Sequence, residues 1–299
     1  MNRRNFVKHI SYFTTGMGVF GSISWEYDKY IGDTITTTDI LGPFYRPNAP
    51  WRTNLNPADF YGEELHLSGK VIKEDGKTPM KDCLIEVWQC KNDGAYDNIS
   101  EMYLYRGRQK TNKEGAYHFI TTIPVPEPVD EKSTVFRPAH IHMRISAEGQ
   151  QDLITQIYFH GDPNLATDPS TKTGLAINRI LTIKKVNDKK SEIRFDVILR
   201  KEYLPESSVY NKVSGVYKMD NGTMMEFYRD GDLLFYKTNN QIWGGLSYSG
   251  NNTFGAKESD TEARFELQIK AGAKVWFRFS RRKETTLQGT KILMYEKEL

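Results

Sequence analysis

Residues 137–145, Arg137-Pro-Ala-His-Ile-His-Met-Arg-Ile145, form a stretch whose two faces differ in chemistry. Side chains of a strand alternate between its faces, so His140 and His142 share one face and the apolar residues next to them share the other. The Cα atoms of residues i and i+2 lie about 6.5–7 Å apart, which lets two imidazoles bind one metal ion. The alternative interpretation is two strand histidines satisfied by ordinary hydrogen bonds.

Short apolar runs bounded by turn residues lie on both sides of this strand in the sequence. They show no helical period, which predicts an all-β fold whose first part is a β-sandwich or a barrel. Helix is expected only in short pieces, around residues 176–181. Residues 36–50 are rich in proline and predict an extended arm. The expected strands span residues 65–72, 83–90, 115–121, 141–145, 153–159 and 193–199.

A second β-rich region follows the linker-like segment Leu204-Pro-Glu-Ser-Ser208. We therefore divide the chain into a leader (residues 1–30), a β-sandwich or barrel with its arm (31–205) and a C-terminal domain (206–299). Turns such as Asp220-Asn-Gly222 between apolar runs predict that this domain is a small antiparallel β-meander. It contains no histidine, and its aromatic residues are expected to form a core rather than a ligand platform. These residues are Phe227, Phe235, Trp243, Phe265, Trp276 and Phe279.

The N-terminus carries a pair of arginines in Arg3-Arg-Asn-Phe-Val-Lys8, followed by a mildly apolar stretch and small residues. This pattern predicts a twin-arginine export signal and a periplasmic or other extracytoplasmic location. The alternative is a short basic amphipathic helix. Since that route exports folded proteins, often with a metal bound, the signal favours a cofactor.

Composition and charge exclude several classes of function. The 299 residues have a formal net charge of +3 with no block of five like charges, so no nucleic-acid groove is expected. Apolar stretches are far shorter than the roughly 20 residues that span a bilayer. Cys83 and Cys90 lie on one predicted strand, too far apart to bridge, and are expected to be buried.

Tyr96 is a candidate third metal ligand, because Gly94-Ala-Tyr96 follows the end of a predicted strand. A phenolate is a hard, anionic oxygen donor that suits Fe(III), so a tyrosine with two histidines favours ferric iron over zinc. The alternative is that Tyr96 is an ordinary surface anchor of a loop.

The order of motifs in residues 36–200 resembles the intradiol ring-cleavage dioxygenases of the protocatechuate 3,4-dioxygenase and catechol 1,2-dioxygenase type. Five motifs occur in the family's order, and the fourth is complete. They are Leu41-Gly-Pro-Phe-Tyr-Arg-Pro47, Val87-Trp-Gln89 with Gly94-Ala-Tyr96, Arg106-Gly-Arg108 with Gly115-Ala-Tyr-His-Phe119, Arg137-Pro-Ala-His-Ile-His142, and Leu153-Ile-Thr-Gln-Ile-Tyr-Phe-His-Gly-Asp-Pro163.

The resemblance implies a β-sandwich that holds non-haem Fe(III). By its motifs, Tyr96, His140 and His142 are metal ligands. Arg137 is the active-site arginine that stabilises developing anionic oxygens, and Gln156 is a polar residue behind the ligands. The arm residues Gly42, Pro43 and Tyr45 are expected to line the substrate cavity.

The family's second tyrosine ligand is absent, since residues 122–129 contain no tyrosine. Counting back from Arg137 places Glu127 at the position of this tyrosine, whereas counting forward from Thr122 places Pro128 there. A carboxylate at Glu127 is a hard ligand and a base, so it is expected to replace the tyrosine. Alternatives are that Tyr103 or Tyr105 swings into the site, or that Glu127 is a solvated loop residue and the site has lost activity.

Two functional hypotheses follow. The first is a dioxygenase that uses O2 to cleave a small aromatic diol into a muconate-type diacid. The second is a catalytically impaired metal- or ligand-binding β-sandwich, since residues 69–88 also resemble transthyretin-like modules. A zinc hydrolase is disfavoured, because no third histidine or carboxylate stands at a convincing spacing. A homo-oligomer is among the states that the resemblance allows.

Overall fold

The computed structural model describes residues 23–26, 29–32, 35–129, 133–171, 174–200, 204–255, 261–268, 272–280 and 284–293. The arginine pair Arg3–Arg4 lies outside these residues, so the export signal stays a prediction. The first described elements are a hairpin of β1 (Ile23–Glu26) and β2 (Lys29–Gly32). No helix within the described ranges is long and apolar enough to cross a membrane.

Two five-stranded sheets pack face to face and share one apolar core, which confirms the predicted all-β sandwich. Their strands and one short hairpin are β3 (Glu64–Lys73), β4 (Leu84–Trp88), β5 (Arg106–Lys110), β6 (Ala116–Thr121), β7 (Glu127–Pro128), β8 (Phe136–Arg137), β9 (His140–Ser146), β10 (Leu153–Phe159), β11 (Ile180–Leu181), β12 (Lys184–Asn187), β13 (Lys190–Arg194) and β14 (Val197–Leu199). One sheet has the order β11-β10-β9-β4-β5. The other has the order β12-β13-β3-β14, with β6 also paired to β3.

The expected strand over residues 193–199 is in fact two strands, β13 and β14, and both pair in parallel with β3. Both strands keep the same register on β3, and the regular pairing is interrupted at Phe195 and Asp196, where the Phe195 backbone N–H donates to the Ser68 carbonyl. A Cβ on Gly69 would lie 1.8 Å from the Phe195 carbonyl oxygen, so the two backbones touch at this glycine. The prediction of one continuous strand was wrong because the alternation of apolar residues does not reveal this close contact between the two backbones.

Helix is confined to short segments in the described chain. The expected helical piece near residues 176–181 is a 3-10 helix at Gly174–Arg179, and another lies at Pro163–Ala166. One α-helix, α1 (Ser207–Val213), precedes the C-terminal region. Cys83 and Cys90 are buried and unpaired, as predicted.

The C-terminal meander closes into an eight-stranded antiparallel barrel, because its first strand pairs with its last. Its strands are β15 (Gly215–Met219), β16 (Met224–Asp230), β17 (Leu233–Thr238), β18 (Gln241–Gly250), β19 (Thr253–Gly255), β20 (Glu262–Leu267), β21 (Ala273–Ser280) and β22 (Glu284–Leu293). Edge-to-face rings, including Phe227 and Phe265, fill its interior. Phe235 instead packs outward against the sandwich, while Trp243, Trp276 and Phe279 are only half-buried.

Candidate metal centre

Strand β9 carries His140 and His142 on one face, while Ile141 and Met143 on its other face join the sandwich core. The Nε2 atoms of the two histidines lie 3.1 Å apart. Both side chains are buried, with 2% and 1% exposure. The structure therefore brings the two imidazoles together, as the strand spacing predicts.

The hydrogen bonds of the two histidines fix how they face the site. His140 Nδ1 lies 2.6 Å from the Pro138 carbonyl oxygen, so Nδ1 carries the proton and Nε2 keeps its lone pair. His142 stacks on Trp88 with ring centroids 4.9 Å apart, and its buried Nδ1 has no hydrogen-bond partner. Burial, with Arg137 adding to it, lowers the pKa of both histidines well below 6.5, so both are neutral.

Tyr96 reaches the same point from the loop after β4, where Gly94 adopts a φ of 80° to complete the turn. The Tyr96 Oη lies 3.1 Å from His142 Nε2 and 3.4 Å from His140 Nε2. Phe44 of the arm stacks on the phenol with centroids 4.2 Å apart. Burial and a nearby carboxylate raise the pKa of Tyr96 well above 10.0, so it stays protonated unless a cation replaces the proton.

Glu127, the predicted replacement for the absent tyrosine, is opposite Arg137 in the β7–β8 hairpin. Its Oε1 lies 3.6 Å from His140 Nε2 and 4.0 Å from Arg137 Nη1. The charge of this carboxylate also raises the pKa of Tyr96, after the larger effect of burial. Pro128 is exposed and Glu127 is buried, so of these two residues only Glu127 faces the donor atoms. Burial raises the pKa of Glu127, and Arg137 opposes the shift.

Tyr103 and Tyr105, the alternative replacements, lie elsewhere. The Arg46 guanidinium covers the Tyr103 ring at 3.9 Å, and the Tyr103 hydroxyl lies 3.4 Å from the Pro47 carbonyl oxygen. Tyr105 is buried, and its backbone N–H donates to Leu55. Among the described hydrogen bonds, neither tyrosine joins the donor atoms around His140.

The four donor groups fit one cation. Ligand atoms bound at about 2.0–2.1 Å around a tetrahedral metal lie roughly 3.3 Å apart. The donor atoms of Tyr96, His140, His142 and Glu127 show separations of 3.1, 3.4 and 3.6 Å. Glu127 Oε2 is buried with no hydrogen-bond partner, as is His142 Nδ1.

The chemistry of the donors favours ferric iron, because a phenol and a carboxylate add two hard oxygen donors to two imidazoles. His, Cys, Asp and Glu side chains of the described residues form no metal-binding group of three by themselves. Tyr96 is the fourth member of the donor set.

Arg137 places a positive charge beside the donor atoms. It contacts His140 Nε2 at 3.3 Å, Asp168 at 2.9 Å and Gln156 Oε1 at 3.0 Å. Its Nη2 also donates to the Tyr158 hydroxyl at 3.1 Å. Burial lowers the pKa of Arg137, but Tyr158 and Asp168 outweigh it and raise the pKa, so the guanidinium stays charged.

The arm lies directly against the ligands. A Cβ on Gly42, whose φ is 74°, would lie 3.3 Å from His142 Cε1, so the arm backbone covers this ring closely. The Pro43 carbonyl accepts a hydrogen bond from Gln241 of the barrel at 3.4 Å. Gln156 donates to the Ile40 carbonyl at 2.6 Å and so joins the arm to Arg137.

Tyr45, expected to contact substrate, is buried away from the donor atoms. Its ring packs on Trp88 and on Phe235 of the barrel. Its hydroxyl donates to Glu86 at 3.0 Å and accepts from Arg144 at 2.7 Å. This corrects the prediction: the arm turns at Pro43 and Phe44, and it is Phe44 rather than Tyr45 that contacts Tyr96.

Several residues around the site were not predicted from the sequence. Tyr158 had a signal, since it lies two residues after Gln156 on β10 and opposite His140. Arg106, within a recognised motif, donates to the carbonyls of Phe44 and Asp97 at 2.6 and 2.9 Å. Asp168 lies in a loop where no spacing pointed to it.

A family model described as "Dioxygenase" matches residues 40–201, which contain every residue of this site. The chain belongs to the intradiol ring-cleavage dioxygenase family. It is 36% identical over 154 residues to chlorocatechol 1,2-dioxygenase from Rhodococcus opacus, covering 44% of this chain and 60% of that one. It is 37% identical over 118 residues to the protocatechuate 3,4-dioxygenase beta chain from Burkholderia cepacia, covering 36% and 49%.

A solved structure of a catechol 1,2-dioxygenase from Acinetobacter radioresistens shares the dioxygenase fold. It has 24% sequence identity and a TM-score of 0.51, covering 57% of this chain and 65% of that chain. This dioxygenase-family chain spans 60% and 49% of the lengths of the two curated relatives. The matched part includes the sandwich and the site; residues after 201 lie outside the family model.

Proposed function

We propose that this protein cleaves a catechol-type ring between its two hydroxylated carbons, using O2, to give a muconate-type diacid. The observation that carries the proposal is the meeting of Tyr96, His140, His142 and Glu127 beside the charged Arg137. Tyr96, His140, His142 and Glu127 would hold a ferric ion. When bound, Fe(III) would withdraw electron density from the catecholate and so activate the ring toward O2. Both atoms of O2 enter the diacid product, so the overall reaction consumes no external reductant.

Glu127 is the base of this proposal. Its carboxylate is buried, one oxygen lacks a hydrogen-bond partner, and burial raises its pKa, so it is suited to take a proton from a substrate hydroxyl. Arg137 then stabilises negative charge on the substrate oxygens, because Asp168 and Gln156 fix its guanidinium. Phe44 and Trp88 keep water from the ligand rings.

A second candidate is a metal- or ligand-binding sandwich without ring cleavage. The raised pKa values of Tyr96 and Glu127, both caused mainly by burial, favour it, because both groups hold protons more tightly when no cation is bound. A protein of this kind would bind a metal or catechol and take up no O2.

The deciding experiment is metal analysis with visible spectroscopy, repeated without oxygen after catechol or protocatechuate is added. Stoichiometric iron, a tyrosinate charge-transfer band that shifts with catechol, and O2 uptake on mixing would support the dioxygenase. A shift without O2 uptake would support the binding module. Colourless protein, or zinc that ignores catechols, would reject the ferric site. Glu226→Gln on the barrel is the matched control for Glu127→Gln, since Glu226 pairs only with Lys237 in the described ion pairs.

We also propose export of the folded protein, on the basis of Arg3 and Arg4. Replacing both with lysine should keep the protein in the cytoplasm while a wild-type chain reaches the periplasm. Equal export of both chains would reject the twin-arginine signal. Light scattering of the purified protein would establish whether it forms a homo-oligomer.

A further inference from the structure

The barrel contacts the sandwich through the turn between β16 and β17. Arg144 lies two residues after His142 on β9 and is 4% exposed. Its Nη1 lies 3.0 Å from Asp230 Oδ2, and its Nη2 donates to the Asp230 carbonyl at 2.9 Å. The barrel thus supplies a carboxylate to a buried charge on the strand that carries both histidines.

Arg144 also joins the barrel to the arm. It donates to Asp152 at 2.7 Å and to the Tyr45 hydroxyl at 2.7 Å, and it lies 3.6 Å from Glu86. A buried guanidinium needs this full set of partners, because a buried charge that loses a partner is strongly disfavoured. A displacement of Asp230 therefore affects Arg144, Tyr45 and β9 together.

An aromatic column leads from the barrel to a predicted metal ligand. It consists of Phe235, Tyr45, Trp88 and His142. Ring centroids are 5.6 Å apart from Phe235 to Tyr45 and 5.1 Å from Tyr45 to Trp88. Trp88 stacks on His142 at 4.9 Å with 9° between the planes. All four side chains are buried and closely packed, so a displacement of the barrel end of the column would also displace the imidazole.

We propose that the barrel is a positioning element of the metal centre, acting through Asp230, Gly231 and Phe235 to fix the His142 ring and the arm against it. Residues that orient a ligand through packing and hydrogen bonds set how well it binds a metal. The inference rests on the proposed function in that it takes His142 as a ligand. It assigns a role to a region that the family model does not cover.

Two glycines of the barrel provide a matched test. Gly231 has a φ of 61°, and an added Cβ would lie 2.6 Å from Asp152 Oδ2 and 2.7 Å from Arg144 Nη2. Gly222, in the turn between β15 and β16, has a φ of 84° with nothing within 4 Å of an added Cβ. Alanine is strained at a positive φ in both places. Only Gly231→Ala also displaces Arg144 and Asp152.

The experiment compares wild type, Gly231→Ala and Gly222→Ala as full-length chains. The first readout is the NMR signal of the His142 Cε1–H in metal-free protein, which the adjacent Trp88 ring shifts. The second is the rate at which ferric protein loses iron to a chelator. We expect Gly231→Ala to move the His142 signal and to lose iron at least tenfold faster, while Gly222→Ala matches wild type in both.

The proposal would be overturned if Gly231→Ala gave the same His142 signal and the same rate of iron loss as Gly222→Ala. If Gly231→Ala does not fold, Asp230→Asn replaces it, with Asp220→Asn in the other turn as its control. Asp220 is exposed and belongs to the same barrel. If wild type holds no iron, the proposed function fails, and the His142 signals of the metal-free variants still support or overturn the role of the barrel.

Discussion

At the scale of single residues, Glu127 is the feature that distinguishes the candidate metal centre. A carboxylate in place of a tyrosine has a different charge and a different proton affinity. The sequence located His140 and His142, because strand alternation determines which side chains share a face, and it located Tyr96 and Arg137 through the family motifs. It could not decide between Glu127 and Pro128, since only the fold of the β7–β8 hairpin shows which side chain turns inward.

The variant Glu127→Gln tests the carboxylate. We expect it to bind ferric iron at least tenfold more weakly, because it removes an anionic donor. Ring cleavage should fall by about 100-fold or more, because the base is lost. Metal titration and O2 uptake measure the two effects. Wild-type values for both would show that Glu127 is neither ligand nor base.

Asp97 stabilises the loop that carries Tyr96, and this predicts a dependence of stability on pH. It accepts hydrogen bonds from the Ser100 and Leu104 backbones at 2.9 and 2.8 Å. Burial raises the pKa of Asp97, but the hydrogen bonds of Ser100 and Leu104 outweigh it and lower the pKa to about 2.

Because the folded pKa lies below the ordinary 3.8, Asp97 stabilises the fold above that pH, and the contribution disappears as the pH falls toward 2. After solvent screening the contribution is about 1 kcal/mol. The free energy of unfolding of metal-free Asp97→Asn should therefore fall less steeply between pH 5 and 2 than that of wild type. Parallel curves would contradict this assignment, and Asp220→Asn serves as the control.

Strands differ in how well the sequence predicts them. Strands β3, β4, β9 and β10 each carry a buried apolar face, and they were all predicted. Strand β5, Arg106-Gly-Arg-Gln-Lys110, has no apolar alternation, and all four residues of β12 are exposed. Closure of the barrel was also missed, because an open meander and a barrel share the same alternation, and only the pairing of β15 with β22 distinguishes them.

The close approach of Gly69 on β3 to the Phe195 carbonyl oxygen predicts that Gly69→Ala is strongly destabilising. Its Cβ would meet backbone rather than a flexible side chain, so the strands must separate locally. We expect a loss of about 3 kcal/mol or more in the free energy of unfolding, measured with denaturant. Gly255→Ala is the control, since its nearest neighbour is 3.5 Å away, and it should change stability by less than about 0.5 kcal/mol. Equal effects would disprove the close approach.

The whole molecule is tied together by a cluster that neither half forms alone. Leu233 and Phe235 of the barrel pack with Leu41, Tyr45 and Trp88. The division of the chain after residue 205 stays a prediction from linker composition. Composition could not show this cluster, because Phe235 has the same strand alternation as the aromatic residues that fill the barrel.

Phe235→Ala should uncouple the two halves in calorimetry. Removing a buried phenylalanine costs about 3–5 kcal/mol, and here the loss falls on the shared cluster. We expect wild type to melt in one transition and Phe235→Ala in two. Phe227→Ala, inside the barrel, should lower the melting temperature and keep one transition. A single transition for Phe235→Ala would contradict the coupling.

The stacking of Trp88 on His142 also allows the metal centre to be followed by tryptophan fluorescence. Trp88 is 2% exposed and its indole N–H has no hydrogen-bond partner, so its fluorescence should lie at the blue end of the tryptophan range. A ferric ion on the adjacent imidazole would quench that emission, whereas Trp51 is 59% exposed and should emit further to the red. The colour of the residual fluorescence would thus report occupancy of the centre in intact protein, without any added dye.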